Sequence, residues 1–273
     1  MSKVILITGC SSGIGAAMAR SFLRRGHKVY ATARRPDSLA PLAEEGMATL
    51  ARDVNDDSSI ATALDAVSRA EGRLDMLVNN AGFSQVGAVL DLERDNLRRQ
   101  YETNVISPFM VVQAAMPLLQ AGVQRSGTAV VVNIGSIVGL FTTPFAGSYC
   151  SSKAAVHSLT DALRMEVAPL GIRVVNVQPG GVKSSFGDNA EAGLRLPEGS
   201  LYAPVRAGVA ARAQAGQQGA TPTEAFVEPV VDKLLQDNPP AVIRGGKGSF
   251  SLVWMSRLLP TALFDRSLSR RFG

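Results

Sequence analysis

The chain has 273 residues, 46% of them hydrophobic and 19% charged, with two cysteines, two histidines and a formal net charge of +5. That is the composition of an ordinary globular protein, long enough to bury a core as one large domain or two small ones, and one is expected. The basic residues are dispersed rather than striped with aromatics, which argues against nucleic acid as a partner, and an anionic small molecule accounts for part of the positive excess.

The chain opens "MSKVILITG", whose apolar run is too short for a signal-peptide core or a membrane span. Cys10 and Cys150, like His27 and His157, lack metal-ligand spacing, so no metal site is expected, and the two histidines read as structural or surface residues. Two free thiols and no visible export signal give a cytoplasmic expectation.

Strand-like runs then recur at "KVILIT" (3–8), "KVYATA" (28–33), "LDMLVNN" (74–80), "TAVVVNIGS" (128–136) and "IRVVNVQPG" (172–180). Between them "GIGAAMARSFLRRG", "DDSSIATALDAVSRAEG" and the stretch 93–120 place apolar residues three and four apart, the period of crossover helices. Alternation of this kind predicts an α/β fold: a doubly wound parallel sheet (Rossmann fold), three-layer αβα, in a single domain over 1–273. Residues 184–222 lose the strand pattern and read as a substrate-loop insertion over the active face, and about 249–273 forms a basic amphipathic C-terminal segment.

Directly after the first run comes "TGCSSGIG" (Thr8, Gly9, Ser11, Ser12, Gly13, Ile14 and Gly15 among its residues), opening a helix. Glycines there let a pyrophosphate approach backbone N–H groups at a helix N-terminus. After the second run, where an acidic residue would hold an adenosine ribose, Ala33 is followed by Arg34 and Arg35. A guanidinium there suits a 2′-phosphate, so NADP (NADPH) is the expected cofactor and NAD the less favoured one. Chains that resemble this one and prefer NADP often carry a second basic residue where this one has Ser12, and either arginine could instead be a solvated loop charge.

"SYCSSKAAVH" puts Tyr149 and Lys153 four residues apart, on one face of a helix. An ammonium beside a phenol, joined by a cationic nicotinamide, would draw its pKa down towards working pH and make it a general acid or base. Ser136, thirteen residues earlier at the carboxyl edge of the sheet, could hold a substrate carbonyl oxygen, and Asn104, in a helix interior, could anchor a water leading to Lys153.

Taken with "DV" (Asp53, Val54), "NNAG" (79–82) and "PGGVKS" (179–184), these motifs resemble the single-domain short-chain dehydrogenase/reductase family over roughly residues 3–185. The resemblance implies Asn104, Ser136, Tyr149 and Lys153 as the catalytic set, with Tyr149 and Lys153 also touching cofactor. It implies Asp53 on the adenine, Asn80, Ala81 and Gly82 along the groove, Pro179, Gly180 and Val182 beside the nicotinamide and Ser184 near its carboxamide. A homodimer or homotetramer is likewise implied.

Phe141, Phe145, Phe186, Leu194, Leu196 and Tyr202 either line a pocket for a lipid-, steroid- or aromatic-like carbonyl substrate or pack against each other. The tail is expected to dock on the domain or a second subunit, with peripheral membrane contact as the alternative. An NADP(H)-dependent carbonyl reductase is the function expected. The alternatives are a catalytically idle NADP(H)-sensing regulator and a ketoreductase of carrier-bound acyl groups.

Overall fold

The computed structural model describes residues 2–194 and 196–272; Met1, Arg195 and Gly273 lie outside them. In chain order the elements are β1 (Val4–Ile7), α1 (Gly13–Arg24), β2 (Lys28–Ala33), α2 (Ala40–Glu44), β3 (Ala48–Ala51), α3 (Asp57–Glu71), β4 (Met76–Asn79), α4 (Arg94–Tyr101) and α5 (Ser107–Ser126). There follow β5 (Ala129–Ile134), α6 (Gly147–Val167), β6 (Ile172–Pro179), α7 (Phe186–Ala192), α8 (Arg206–Gln214), α9 (Thr223–Leu234), β7 (Val242–Gly245), α10 (Ser251–Leu258) and α11 (Thr261–Phe272).

The strands form one seven-stranded sheet in the order β3-β2-β1-β4-β5-β6-β7, every neighbour parallel. Parallel strands need crossovers, and the helices supply a layer on each face. Phe22 of α1, Leu42 of α2 and Val227, Val230 and Val231 of α9 pack on one face; Ile60 and Leu64 of α3, Val111 and Leu119 of α5 and Val167 of α6 pack on the other. Each fully buried side chain of this size contributes about 1.5–3 kcal/mol relative to exposure. Continuous burial along β1, β4 and β5 is why those strands read as unbroken apolar runs.

Two strands escaped the periodicity: β3, "ATLA", and β7, "VIRG". Both are four-residue sheet edges with half-exposed residues, so neither carries an apolar run. The helical run Arg94–Ser126 is long and apolar enough to cross a membrane by length and composition. Its apolar residues, however, pack on the sheet as those of a core crossover helix.

Sheet order reverses between β1, whose chain goes on to β2, and β4, whose chain goes on to β5. The loops leaving β1 and β4 therefore diverge and open a crevice at their carboxyl ends. The glycine-rich turn and the "NNAG" segment both lie there.

Candidate active site

The turn after β1 is held from beneath by side chains rather than by glycine alone. The Thr8 hydroxyl accepts from the Asn80 and Ala81 amides at 2.9 and 3.0 Å, while Asn80 Nδ2 donates to the Thr8 and Gly9 carbonyls at 2.9 Å each. Asn79 extends the network by donating to Asn133 Oδ1 at 2.9 Å. Thr8 and Asn80 are thus the scaffold of the crevice. Gly9 and Gly13 adopt positive φ of 73° and 59°, and a Cβ on Gly15 would lie 2.4 Å from both Asn80 Nδ2 and the Gly9 carbonyl oxygen.

This arrangement fits the phosphates of a dinucleotide. The first turn of α1 contains no acidic residue, its N-terminus favours anions, and a cleft of about 640 Å³ lined by Ser11, Ser12, Gly13, Lys183 and Ser184 adjoins it. Ser12 and Ser185 meet across the cleft at 2.9 Å. Ser184 lies against Gly13, 3.1 Å from where a side chain there would begin, and so belongs to the phosphate-loop wall as well as to the segment expected at the carboxamide. Ile14 packs into the core behind the turn.

Where the adenosine was expected, Arg34 and Arg35 are exposed just past β2. Asp53 keeps one carboxylate oxygen on the Asn55 amide at 3.0 Å, leaving the other available, and Val54 is buried beside it. Arg52, which the sequence reading missed, is 2% exposed and all three of its side-chain nitrogens lack partners. Burial lowers its proton affinity to a pKa of about 10. Beyond the sheet, Gly180 donates to the Gly245 carbonyl at 2.8 Å, Val182 pairs with Thr221, and Pro179 ends β6.

The four expected catalytic residues come from the chain just after β5, from α6 and from the turn between α4 and α5, and they converge. Ser136 follows β5 in extended conformation, and its amide donates to His157 Nε2 at 3.3 Å. The Lys153 ammonium donates to the Ile134 carbonyl at 2.8 Å and lies 5.9 Å from the centre of the Tyr149 ring. Burial lowers the Lys153 pKa to about 8. Burial likewise raises the Tyr149 phenol to about 12, opposed by the Ser136 hydroxyl beside it and, more weakly, by the charge of Arg212. Desolvation therefore outweighs the hydroxyl and the Arg212 charge, and the phenol carries its proton at neutral pH, where a depressed value had been expected with cofactor bound.

Asn104 sits in a π turn, Glu102–Ile106, between α4 and α5. Its Nδ2 donates to the Phe83 carbonyl at 3.0 Å and to Ser152 Oγ at 3.2 Å, and its Oδ1 accepts from the Phe83 amide at 3.1 Å. One Oδ1 lone pair remains for a water. Gly82 leaves that space open: a Cβ there would lie 3.1 Å from Asn104 Oδ1 and 3.8 Å from Lys153 Nζ.

His157 is a second residue that the sequence reading undervalued. It is buried, held neutral with a pKa lowered to about 4 by desolvation and then by Lys153, and it fixes Ser136 through the amide bond above. The signal was present in the spacing: Tyr149, Lys153 and His157 recur every fourth residue on one helix face.

Several residues of the segment after β6 lie beside these side chains. The Phe186 ring lies 5.5 Å from that of Tyr149, Phe145 stacks edge-on with Tyr202 at 5.8 Å, and Leu194 packs beside Val86, Val209 and Ala213. Leu196 is partly buried. Phe141 pairs with Phe264 of α11, so α11 packs against the same region. Phe145 holds φ of +59°, a conformation costing about 1–3 kcal/mol outside glycine. The Gly87 amide bonding to its carbonyl at 2.9 Å keeps it there.

A parallel α/β sheet with a dinucleotide crevice and a Ser-Tyr-Lys cluster at its edge defines a nicotinamide-dependent oxidoreductase. The family model described as short chain dehydrogenase matches residues 3–194, and the chain belongs to the short-chain dehydrogenase/reductase family. It is 34% identical over 267 residues to a short-chain dehydrogenase, ptmH, of Penicillium ochrochloron, covering 96% of this chain and 95% of that one. Among solved structures, a short-chain dehydrogenase from Streptomyces avermitilis superposes with TM-score 0.74 at 32% identity, over 89% of this chain and 87% of its own. A 3-ketoacyl-(acyl-carrier-protein) reductase from Brucella melitensis complexed with NADH follows at 0.65 and 29%, over 68% and 78%.

Proposed function

We propose that the protein is an NADP(H)-dependent reductase that interconverts an apolar carbonyl compound and its secondary alcohol. The observation that carries this reading is the convergence of Ser136, held through its amide by His157, with the Tyr149 ring and the Lys153 ammonium 5.9 Å from its centre. A bound nicotinamide supplies the hydride in reduction and accepts it in the reverse direction. Ser136 holds the carbonyl oxygen, its hydroxyl aimed by the His157–amide bond. Tyr149 gives its proton to that oxygen as negative charge develops there. Lys153, poised near pH 8, resupplies the proton through a water held at Asn104 and Gly82.

Support for NADP(H) comes from Ala33 in place of an acid and from the exposed Arg34 and Arg35 beside it. The Brucella relative was solved with NADH, so the preference rests on these residues alone. Two unpaired, buried cysteines support work in the cytoplasm. Exposed Ile106 and Met110 on the α5 side and Leu159 and Met165 on α6 support a homo-oligomer.

The test is oxidation of NADPH and NADH by the purified protein across steroid, retinoid, acyl and aromatic carbonyls. We expect Tyr149→Phe to lower turnover by about a hundredfold to ten-thousandfold with NADPH binding retained, and a mutant keeping a sizeable fraction of the wild-type rate would sink the assignment. Arg34→Ala should weaken NADPH about tenfold to a hundredfold relative to NADH, the scale of one charge-assisted hydrogen bond. Equal weakening of both cofactors would remove Arg34 from the phosphate site. Tight NADPH binding without turnover on any compound would favour the sensor.

A further inference from the structure

Arg212, on α8 of the cover segment, is a cation that the reaction above leaves unused. Its Nε donates to the Thr143 hydroxyl at 2.7 Å, that hydroxyl lies 3.9 Å from the Cys150 thiol, and the guanidinium carbon stands 6.0 Å from the centre of the Phe272 ring. Arg20 within α1 and Arg25 just past its end hold carboxylates, which raise their proton affinity. Arg212 forms no ion pair among the described residues, and withdrawal from water lowers its affinity instead.

A hydroxyl, a thiol and the face of a ring are neutral partners. A charge taken out of water with only such partners is costly, and a carboxylate arriving at the guanidinium fork would offset that cost through two parallel hydrogen bonds. The site sits beside the reaction centre, because Thr143, which accepts from Arg212, lies against Cys150, the residue next to Tyr149. On the reaction-centre side, the Phe186 ring packs 5.5 Å from that of Tyr149, and Phe145 pairs with Tyr202 at 5.8 Å.

We propose that Arg212 is a specificity-determining residue that receives a carboxylate of the substrate, so that the substrate is an apolar oxo acid whose carboxylate lies a few bonds from the reacting carbonyl. The proximity of Arg212 to Tyr149 disfavours a carrier-bound acyl group, whose phosphate is separated from the carbonyl by a long arm. The inference rests on the reductase reading for its choice of carbonyl chemistry, and the anion site stands on its own contacts.

The experiment compares benzoylpropionate with its methyl ester, in wild type, Arg212→Gln and Arg212→Lys, by NADPH oxidation and by melting temperature of the NADP-loaded protein. Wild type is expected to favour the acid, the acid-to-ester ratio of kcat/KM to fall about tenfold to a hundredfold in Arg212→Gln, and Arg212→Lys to keep part of it. The acid, and not the ester, should raise the melting temperature of wild type and fail to do so in Arg212→Gln. An acid-dependent melting shift that needs Arg212 would uphold the anion site whether or not either compound turns over, and the reductase reading would fall only if no carbonyl of the wider panel were reduced. Turnover abolished by Tyr149→Phe but blind to the carboxylate would uphold the reductase reading and overturn the anion site. Absence of any acid-dependent stabilisation overturns the proposal.

Discussion

The crevice between β1 and β4 and the cover segment after β6 are built by different means. In the crevice, backbone meets backbone through Thr8, Asn79 and Asn80, whose hydrogen bonds leave no freedom to the turn. The cover is held by ring pairs, a small cluster around Val209 and single polar contacts such as Ser200 to Asp91 at 2.7 Å. A site that must present amides to an invariant phosphate gains from rigidity. A surface that must suit one substrate gains from side chains that can be exchanged without unfolding the sheet.

Gly15→Ala should break the crevice most severely. Its Cβ would meet Asn80 Nδ2 and the Gly9 carbonyl at 2.4 Å, displacing the turn at a cost of about 1–3 kcal/mol and abolishing cofactor binding, which titration of NADPH fluorescence would detect. Retained binding at the wild-type Kd would show the turn to be plastic.

Next in size is the acid sensitivity of His157. It ionises near 4 in the native protein against 6.5 ordinarily, so between those values the unfolded chain binds a proton that the native one refuses. Stability is then lost as pH falls from 6.5 towards 4, by about 3 kcal/mol at most. Urea melts at pH 7 and 4.5 should show a smaller difference in His157→Gln than in wild type, and equal differences would exclude His157 as the source.

The smallest effect is expected in the cover. A Cβ on Gly208 would meet the Phe272 carbonyl oxygen at 1.8 Å, so Gly208→Ala should loosen α11 from α8, raise KM for the carbonyl substrate and speed proteolysis of the tail. The Kd for NADPH should stay as it was; a change there would mean that the two regions are coupled.

The fold and the four central side chains were legible because each leaves a local mark: unbroken apolar runs for buried strands, glycine spacing for the phosphate turn, a four-residue period for Tyr149 and Lys153. Edge strands β3 and β7 left none, being short and half wet. The phenol's raised pKa was not legible either, since desolvation depends on Phe186 and the rest of the cover arriving from distant sequence. Arg212 and Arg52 were invisible for the same reason: an arginine looks solvated until the fold shows what surrounds it.

The π turn at Asn104 has a consequence for the whole helical run. Within it the Ser107 amide bonds five residues back to Glu102 rather than four, which adds a residue to one turn. A regular helix advances about 100° per residue, so everything after Ser107 is out of phase by that angle with a straight continuation of α4. The device lets one rod show two faces: α4 aims Gln100 at the Gln85 amide beside the site, while α5 turns Val111, Ala115 and Leu119 onto the sheet. Deleting a single residue between 102 and 106 would bring the two halves back into phase and rotate one of these faces away from its partner.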